Sequence, residues 1–255
     1  MSSHAWVRES ERPFVRSAED WCDQVGSQGR WLLTDFLTPR EQYLTESVVG
    51  KRGLAHRAHG GYGGAERHRM LIMPDDWYPQ PSDFEIVYLR LVSLEQEMRH
   101  KDVLGSVLGL GLQRKTIGDI VVGGRLAHLF VSSQIARFLY DELHHVGRTT
   151  VSVTVEEEIP DLPPPTYDEK DVNVPSLRLD AVIASACQFS RSKAQAAVER
   201  GDVTLNFAAA TSRDEVDVGD TLSVRGFGRI KVMETLGITR RERLRLRLGI
   251  LRSNA

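Results

Sequence analysis

Apolar and polar positions alternate along this chain with two periods, and each change of period marks an element. Phe84 to Leu91 is a short apolar run carrying Ile86, Val87 and Tyr88, which predicts a strand. Val103, Leu104 and Val107 fall at helical spacing and predict a short helix from Arg99 to Leu108. Asp119 to Val122 and Leu126 to Val131 read as a hairpin about the turn Gly123-Gly124. Ser133 caps a predicted helix whose core face is Ile135, Phe138, Leu139 and Leu143. Val151, Val153 and Val155 then share one face of a strand from Thr149 to Val155. Upstream, helical stretches are predicted around Ser17 to Val25 and Pro39 to Val49, the second supported by Pro39 at the first helical position after Thr38. An apolar strand follows at Met70 to Met73. Downstream, Leu179, Val182, Ile183 and Ala186 form one helical stripe, and Ser190 caps a second helix with Ala194, Ala197 and Val198 inward and a stop at Gly201. Arg243, Arg245 and Arg247 alternate with Leu244, Leu246 and Leu248, the pattern of a half-buried strand with one cationic face.

The order strand, helix, strand, strand, helix, strand in the middle of the chain is the ferredoxin-like split arrangement also used by RRM modules. An RRM reads RNA with aromatics on a central strand. The strand here offers only Phe130, so the fold is expected without base stacking on its sheet. The expected class is α+β: an N-terminal α/β domain at 1–74, an RRM-like middle domain at 75–159, and a helix-helix-strand module at 176–255. The acidic, proline-rich run from Glu156 through Pro160 and Pro163-Pro164-Pro165 to Pro175 predicts an extended linker over 160–175. A softer boundary lies at Pro74 to Pro81.

Composition narrows the function classes. A length of 255 residues leaves room for two or three small domains, and a hydrophobic fraction of 41% supports ordinary cores. No run of eighteen apolar residues offers a membrane span, and Met1 to Arg16 lacks the apolar core of a secretory signal. Cys22 and Cys187 stand far apart without a ligand cluster, so neither a disulfide nor a zinc site is expected, and a reducing cytosol is the natural compartment. The net charge of −2 hides an asymmetry. From Asp171 onward 14 Lys+Arg face 10 Asp+Glu, a net of +4; the remainder has 19 against 25, a net of −6. The C-terminal third is therefore the electrostatic candidate for nucleic acid.

Within that third the cations sit at particular places. Arg191 and Lys193 occupy the first turn of the second helix, where the macrodipole favours anions, so an external phosphate is the natural partner. Arg178 either pairs with Asp180 or Asp202 or reaches a ligand. Arg225, Arg229 and Lys231 flank Gly226 and Gly228 on a predicted strand, either as a phosphate-facing strip or as an ordinary polar face. Like charges on the Arg243, Arg245, Arg247 face repel, which favours an anionic neighbour, either RNA or the acidic linker, over an unpartnered face. In the first domain, Gly60-Gly61-Tyr62-Gly63-Gly64 leads into Arg67 and Arg69: either a loop that brings its backbone to a base and a phosphate, or a plain surface loop. No Gly-Lys-Ser/Thr follows, so it is not a nucleotide P-loop.

The C-terminal residues resemble the S-four RNA-binding domain. The matching positions are Arg178-Leu179-Asp180, Ser190 to Ala194, Gly201 to Asn206, and Val216 with Val218 to Asp220. The chain departs from the pattern at Phe207 to Thr211, where the family has a small or glycine-containing polar turn. Gly60 to Arg67, Arg99 to Gly105, Gly118-Asp119-Ile120 and Ser223 to Arg229, together with that module, resemble the YlmH family of bacterial proteins over nearly the whole chain. Cyanobacterial and plastid relatives carry the label photosystem II S-four domain protein. The resemblance implies ribosome-associated work: binding of stalled large subunits that hold peptidyl-tRNA, in rescue or quality control, and it also implies a tie to cell division. It points to an RNA-binding set of Arg178, Ser190, Arg191, Lys193, Arg200, Asn206, Arg225, Arg229 and Lys231, joined by Tyr62, Arg67, Arg99 and Lys101 from the earlier domains.

Catalysis has little support. Pseudouridine synthases often fused to S-four domains carry a catalytic aspartate in Gly-Arg-Leu-Asp, and here Gly124-Arg125-Leu126 is followed by Ala127. His56 with His59, and His144 with His145, lack a third ligand. Two functions stay open: a noncatalytic, cofactor-free, monomeric cytoplasmic factor that binds rRNA or tRNA on the large ribosomal subunit, and an RNA-modifying enzyme whose active site has no visible sequence signal.

Overall fold

The computed structural model describes residues 7, 11–74, 77–162, 167–240 and 242–252. It divides into two compact units, 1–163 and 164–255. In the first unit, α1 (Arg12–Gln28) and α2 (Pro39–Lys51) cover one face of a three-stranded antiparallel sheet of β1 (Leu32–Leu33), β2 (Ala55–His59) and β3 (Arg69–Met73), in the order β1-β3-β2. Val15, Ala18, Cys22 and Val25 of α1 meet Leu44, Val48 and Val49 of α2 over Ile72. α2 starts sharply because Thr38 and Glu41 form a reciprocal capping box ahead of Pro39. The glycine segment from Gly60 joins β2 to β3, which pair antiparallel from His59 opposite Arg69.

The same unit continues as β4 (Ile86–Ser93), α3 (His100–Gly109), β5 (Ile117–Gly123), β6 (Leu126–Ser132), α4 (Ser133–Glu142), β7 (His145–Val146) and β8 (Thr149–Glu156). The sheet order is β5-β6-β4-β8-β7, antiparallel throughout. Leu89, Leu91, Ala127, Leu129, Val131 and Val151 point to the face that α3 and α4 cover with Val103, Val107, Ala136 and Leu139. Two details depart from expectation. Ser132, not Ser133, holds the N-cap position of α4. Phe138 is 43% exposed because Ala136, Leu139 and Leu143 take the inward stripe.

Residues 1–74 and 75–159 lie in one compact unit. Gly61 adopts φ +98°, and a Cβ there would stand 2.5 Å from Phe130 Cδ1. A Cβ on Gly118 would stand 2.6 Å from Phe36 Cε1. Only glycine permits either approach.

The second unit contains β9 (Asp168–Val174), α5 (Leu179–Cys187), α6 (Arg191–Glu199), β10 (Val203–Leu205), β11 (Ala208–Ala209), β12 (Thr221–Val224), β13 (Gly228–Ile238) and β14 (Leu244–Arg252). These strands form one sheet, β11-β10-β12-β13-β14-β9. The expected linker over 160–175 is corrected here. Asp168–Val174 is an edge strand paired along β14, because Val172 and Val174 alternate inward against the core. Pro163, Pro164 and Pro165 lie outside the described residues, as do Asp75 and Asp76 of the softer boundary.

Candidate nucleic-acid interface

The junction of α5 and α6 is built on one carboxylate. Asp180 is wholly buried in the first turn of α5. It accepts bonds of 2.9 Å at both oxygens from Arg191 Nη2, 3.3 and 3.0 Å from Arg178 Nε and Nη2, and 3.0 Å from Gln195 Nε2. Burial pushes the Asp180 carboxyl up, but the hydrogen bonds from Gln195, Arg178 and Arg191 outweigh it and hold the group below its usual range. Arg191 therefore offsets its unfavourable place in the helix dipole by pairing inside the protein, and the external phosphate is not needed to explain it. Arg178 takes the internal option too, through Asp180. Ser190 also works locally, its Oγ accepting from Lys193 N at 3.2 Å as the α6 cap. Lys193 is exposed, with Nζ 4.0 Å from the centre of the Phe189 ring.

The sheet of this unit has an inner face of Leu222, Val224, Ile230, Val232, Leu246 and Leu248 against the helices. Alternation turns Ser223, Arg229, Lys231, Arg245 and Arg247 to the other face, with Thr221 paired to Lys231 and Ser223 to Arg229. Arg245 and Arg247 of β14 pair with the edge strand: Asp171 accepts from Arg245 at 2.9 Å and from Arg247 at 3.1 Å, and Glu169 lies 3.7 Å from Arg247. The bonds from Arg247 and Arg245 hold the Asp171 carboxyl below its ordinary value despite some desolvation. The anionic neighbour anticipated for this face includes the acidic segment itself. Arg225 is 85% exposed, 3.6 Å from Asp202, which also takes Arg200 at 2.9 Å.

Asn206 and Phe207 both have positive φ, +48° and +65°, and join β10 to β11 as a two-residue turn. Asn206 serves the fold, donating to Asp220 Oδ1 at 2.7 Å and accepting from Thr221 N at 2.9 Å. The departure at Phe207 has a physical consequence, because its ring sits 5.5 Å from the Arg229 guanidinium. Arg252 stands 5.5 Å from Phe227 in the same way. Phe189, Phe227 and Arg252 were not singled out from sequence; an aromatic residue in each cation-rich turn was the available signal.

In the first unit the glycine loop and Gly118-Asp119-Ile120 converge. Asp119 accepts from Tyr62 Oη at 3.0 Å, Glu66 N at 2.7 Å and Arg67 N at 3.2 Å. Tyr62 stacks on Phe130 at 4.8 Å, and Phe130 stacks on Tyr88 at 5.3 Å. Arg67 donates to the carbonyls of Ile117 and Phe36, and burial lowers its pKa. Arg69 is buried against the carbonyls of Thr34, Phe84 and Glu85. Tyr62, Arg67 and Arg69 thus hold partners inside the first unit. Phe130 has no exposed surface. Arg99 is half-exposed and pairs with Asp102 at 2.7 Å, next to exposed Lys101 in the first turn of α3. Among the described residues, no three His, Cys, Asp or Glu gather as a metal site, and no helix is long and apolar enough to cross a membrane.

Comparisons with known proteins fit this arrangement of motifs. Residues 79–159 match the family model described as "Putative RNA-binding domain in YlmH", and residues 10–77 match "YlmH, N-terminal". The chain belongs to the YlmH family. It is 36% identical over 244 residues, 94% of this chain and 95% of the relative, to the Bacillus subtilis (strain 168) protein named "Ribosome-associated protein quality control protein P2". A solved structure, "Cell division protein ylmH from Streptococcus pneumoniae", is 28% identical with a TM-score of 0.55, covering 59% of this chain and 93% of its own.

Proposed function

We propose that this protein is a noncatalytic RNA-binding factor that engages rRNA or tRNA on the large ribosomal subunit during translation rescue or ribosome-associated quality control. The observation that carries the reading is the likeness over 94% of the chain to a relative whose name states ribosome-associated quality control. The matched RNA-binding family domain supports the nucleic-acid part. In this reading the second unit is an S-four module, and residues 79–159 are an RRM-like domain whose aromatic stack is occupied by Tyr62. RNA then meets the exposed cations Lys193, Arg200, Arg225 and Lys231 and the half-buried Arg229 on the second unit, with the exposed Arg99 and Lys101 on the first. Arg200 and Arg225 pair with Asp202 and Arg99 with Asp102, surface ion pairs weak enough to be exchanged for a phosphate. A monomer in the cytoplasm completes the proposal.

Ultraviolet crosslinking of the full chain in cells, followed by sequencing of the attached RNA, tests it. The reading expects enrichment of large-subunit rRNA or tRNA. Crosslinks spread in proportion to RNA abundance, with no ribosomal site, would contradict it.

A further inference from the structure

A tryptophan cleft lies outside the residues assigned to RNA above. α1 ends at Gly29, whose φ of +60° turns the chain into Arg30 and Trp31. Because β1 runs antiparallel to β3, with Leu32 opposite Ile72, Trp31 arrives beside Pro74 at the same end of the sheet. Trp77 packs against the cluster of Leu71, Met73 and Phe84. The Trp31 ring then stacks on Trp77 at 5.7 Å with 17° between the planes. Trp31 nevertheless remains 47% exposed. Gly29, Arg30, Trp31, Pro74 and Trp77 line a cleft of about 490 Å³.

Aromatic and guanidinium groups adjoin the cleft; Asp75 and Asp76, between Pro74 and Trp77 in the sequence, lie outside the described residues. Arg30 is its only charged lining residue among the described residues. Arg57, opposite Leu71 on β2, lies 5.9 Å from the ring of Tyr78, which is 75% exposed. Exposed aromatic rings interleaved with guanidinium groups suit a strand that offers a flat base and a phosphate together. The two indoles already cover each other's inner faces, so a ligand stacks on the open side of Trp31. A duplex keeps its base faces hidden, whereas a single strand presents them.

We propose that Trp31, with Arg30 and Arg57, is a second RNA contact, taking an unstacked base of single-stranded RNA on the open indole face and the adjoining phosphates on the two guanidinium groups. The proposal rests on the RNA-binding reading above and adds a site in the N-terminal matched region.

The test uses the full chain and fluorescein-labelled decauridine in an anisotropy titration. Stacking of one base on an aromatic side chain supports roughly a five-fold or larger effect. Trp31→Ala should therefore weaken binding about five-fold or more, and Trp31→Phe should retain most of it. Arg30→Ala with Arg57→Ala should weaken binding and flatten its salt dependence; this pair decides the matter if Trp31→Ala loses its circular dichroism. Unchanged affinity in the arginine pair and in a folded Trp31→Ala overturns the site. So does absence of decauridine binding in a chain that still crosslinks to ribosomal RNA. A decaproline peptide that quenches Trp31 fluorescence where decauridine does not would make the cleft a peptide site and overturn it as well. Failure of the chain to bind decauridine and ribosomal RNA alike is the distinct result that removes the RNA reading itself.

Discussion

Both carboxylate oxygens of Asp180 lie 2.9 Å from Arg191 Nη2, so the first turns of α5 and α6 are clamped to one buried charge. This bond explains a cation at a helix N-terminus without invoking a ligand. It also fixes the junction where Phe189 and, in the first turn of α6, Lys193 lie together.

Removing either partner should destabilise the second unit. Arg191→Ala leaves Asp180 with Arg178 and Gln195 and should cost about 1–3 kcal/mol. Asp180→Ala should cost about 2–4 kcal/mol, because it frees three donors at once. Because the folded Asp180 value is depressed, its contribution is present above the ordinary carboxylate value near ~4 and is lost as pH falls through the folded value. Urea melts at pH 7 and pH 3 check this; an Arg191→Ala melt that matches wild type at pH 7 would show the clamp to be idle.

The hub at Asp119 should matter to the first unit as a whole. Tyr62→Phe removes one bond and should cost about 1 kcal/mol. Asp119→Ala strands the amides of Glu66 and Arg67 and should cost about 2–4 kcal/mol. Gly61→Ala should be worse than Tyr62→Phe, since it combines a positive φ with the approach to Phe130. Thermal unfolding of the three variants should rank them in that way.

Acid should loosen the first unit before carboxylates titrate. Burial lowers the pKa of His59, His68 and His128, and Tyr88 Oη is 2.7 Å from His128 Nδ1. The neutral rings are favoured in the fold, so stability is complete above the unfolded value near ~6.5 and declines as pH falls below it. Melting temperature should drop between pH 7.5 and pH 5.5, and replacing His59 and His68 together with Gln should reduce that drop. An equal drop in the double variant would assign the acid sensitivity elsewhere.

The order of elements was legible because its signals are local: Thr38-Pro39 started α2, the 179–186 stripe built α5, and alternating leucines built β14. The linker was misread since Asp168, Glu169, Lys170 and Asp171 carry a solvent-type composition, and only Val172 and Val174 betray a strand. The candidate set was legible in residue type but not in role. Tyr62 and Arg67 look like ligand groups in a glycine loop, yet Asp119 and two backbone carbonyls, more than fifty and thirty residues away, claim them. Spacing along one segment does not reveal such a long-range partner. The Trp31–Trp77 stack was hidden for the same reason.

Exposed cations on the second unit should each contribute one phosphate contact. Replacing Lys193 or Lys231 with Ala should weaken binding of structured RNA and lower the slope of log affinity against log salt by about 1 each. Neither substitution should change the melting temperature much, as both side chains lie on the surface. An unaltered slope would remove that residue from the interface.

Co-sedimentation of the full chain with purified large ribosomal subunits tests the central claim most directly. The account predicts that wild-type protein travels with the subunit at moderate salt, and that a chain with Lys193, Arg225, Arg229 and Lys231 replaced by Ala remains folded but stays at the top of the gradient. Equal sedimentation of the two chains, or a wild-type chain that never joins the subunit, would contradict it.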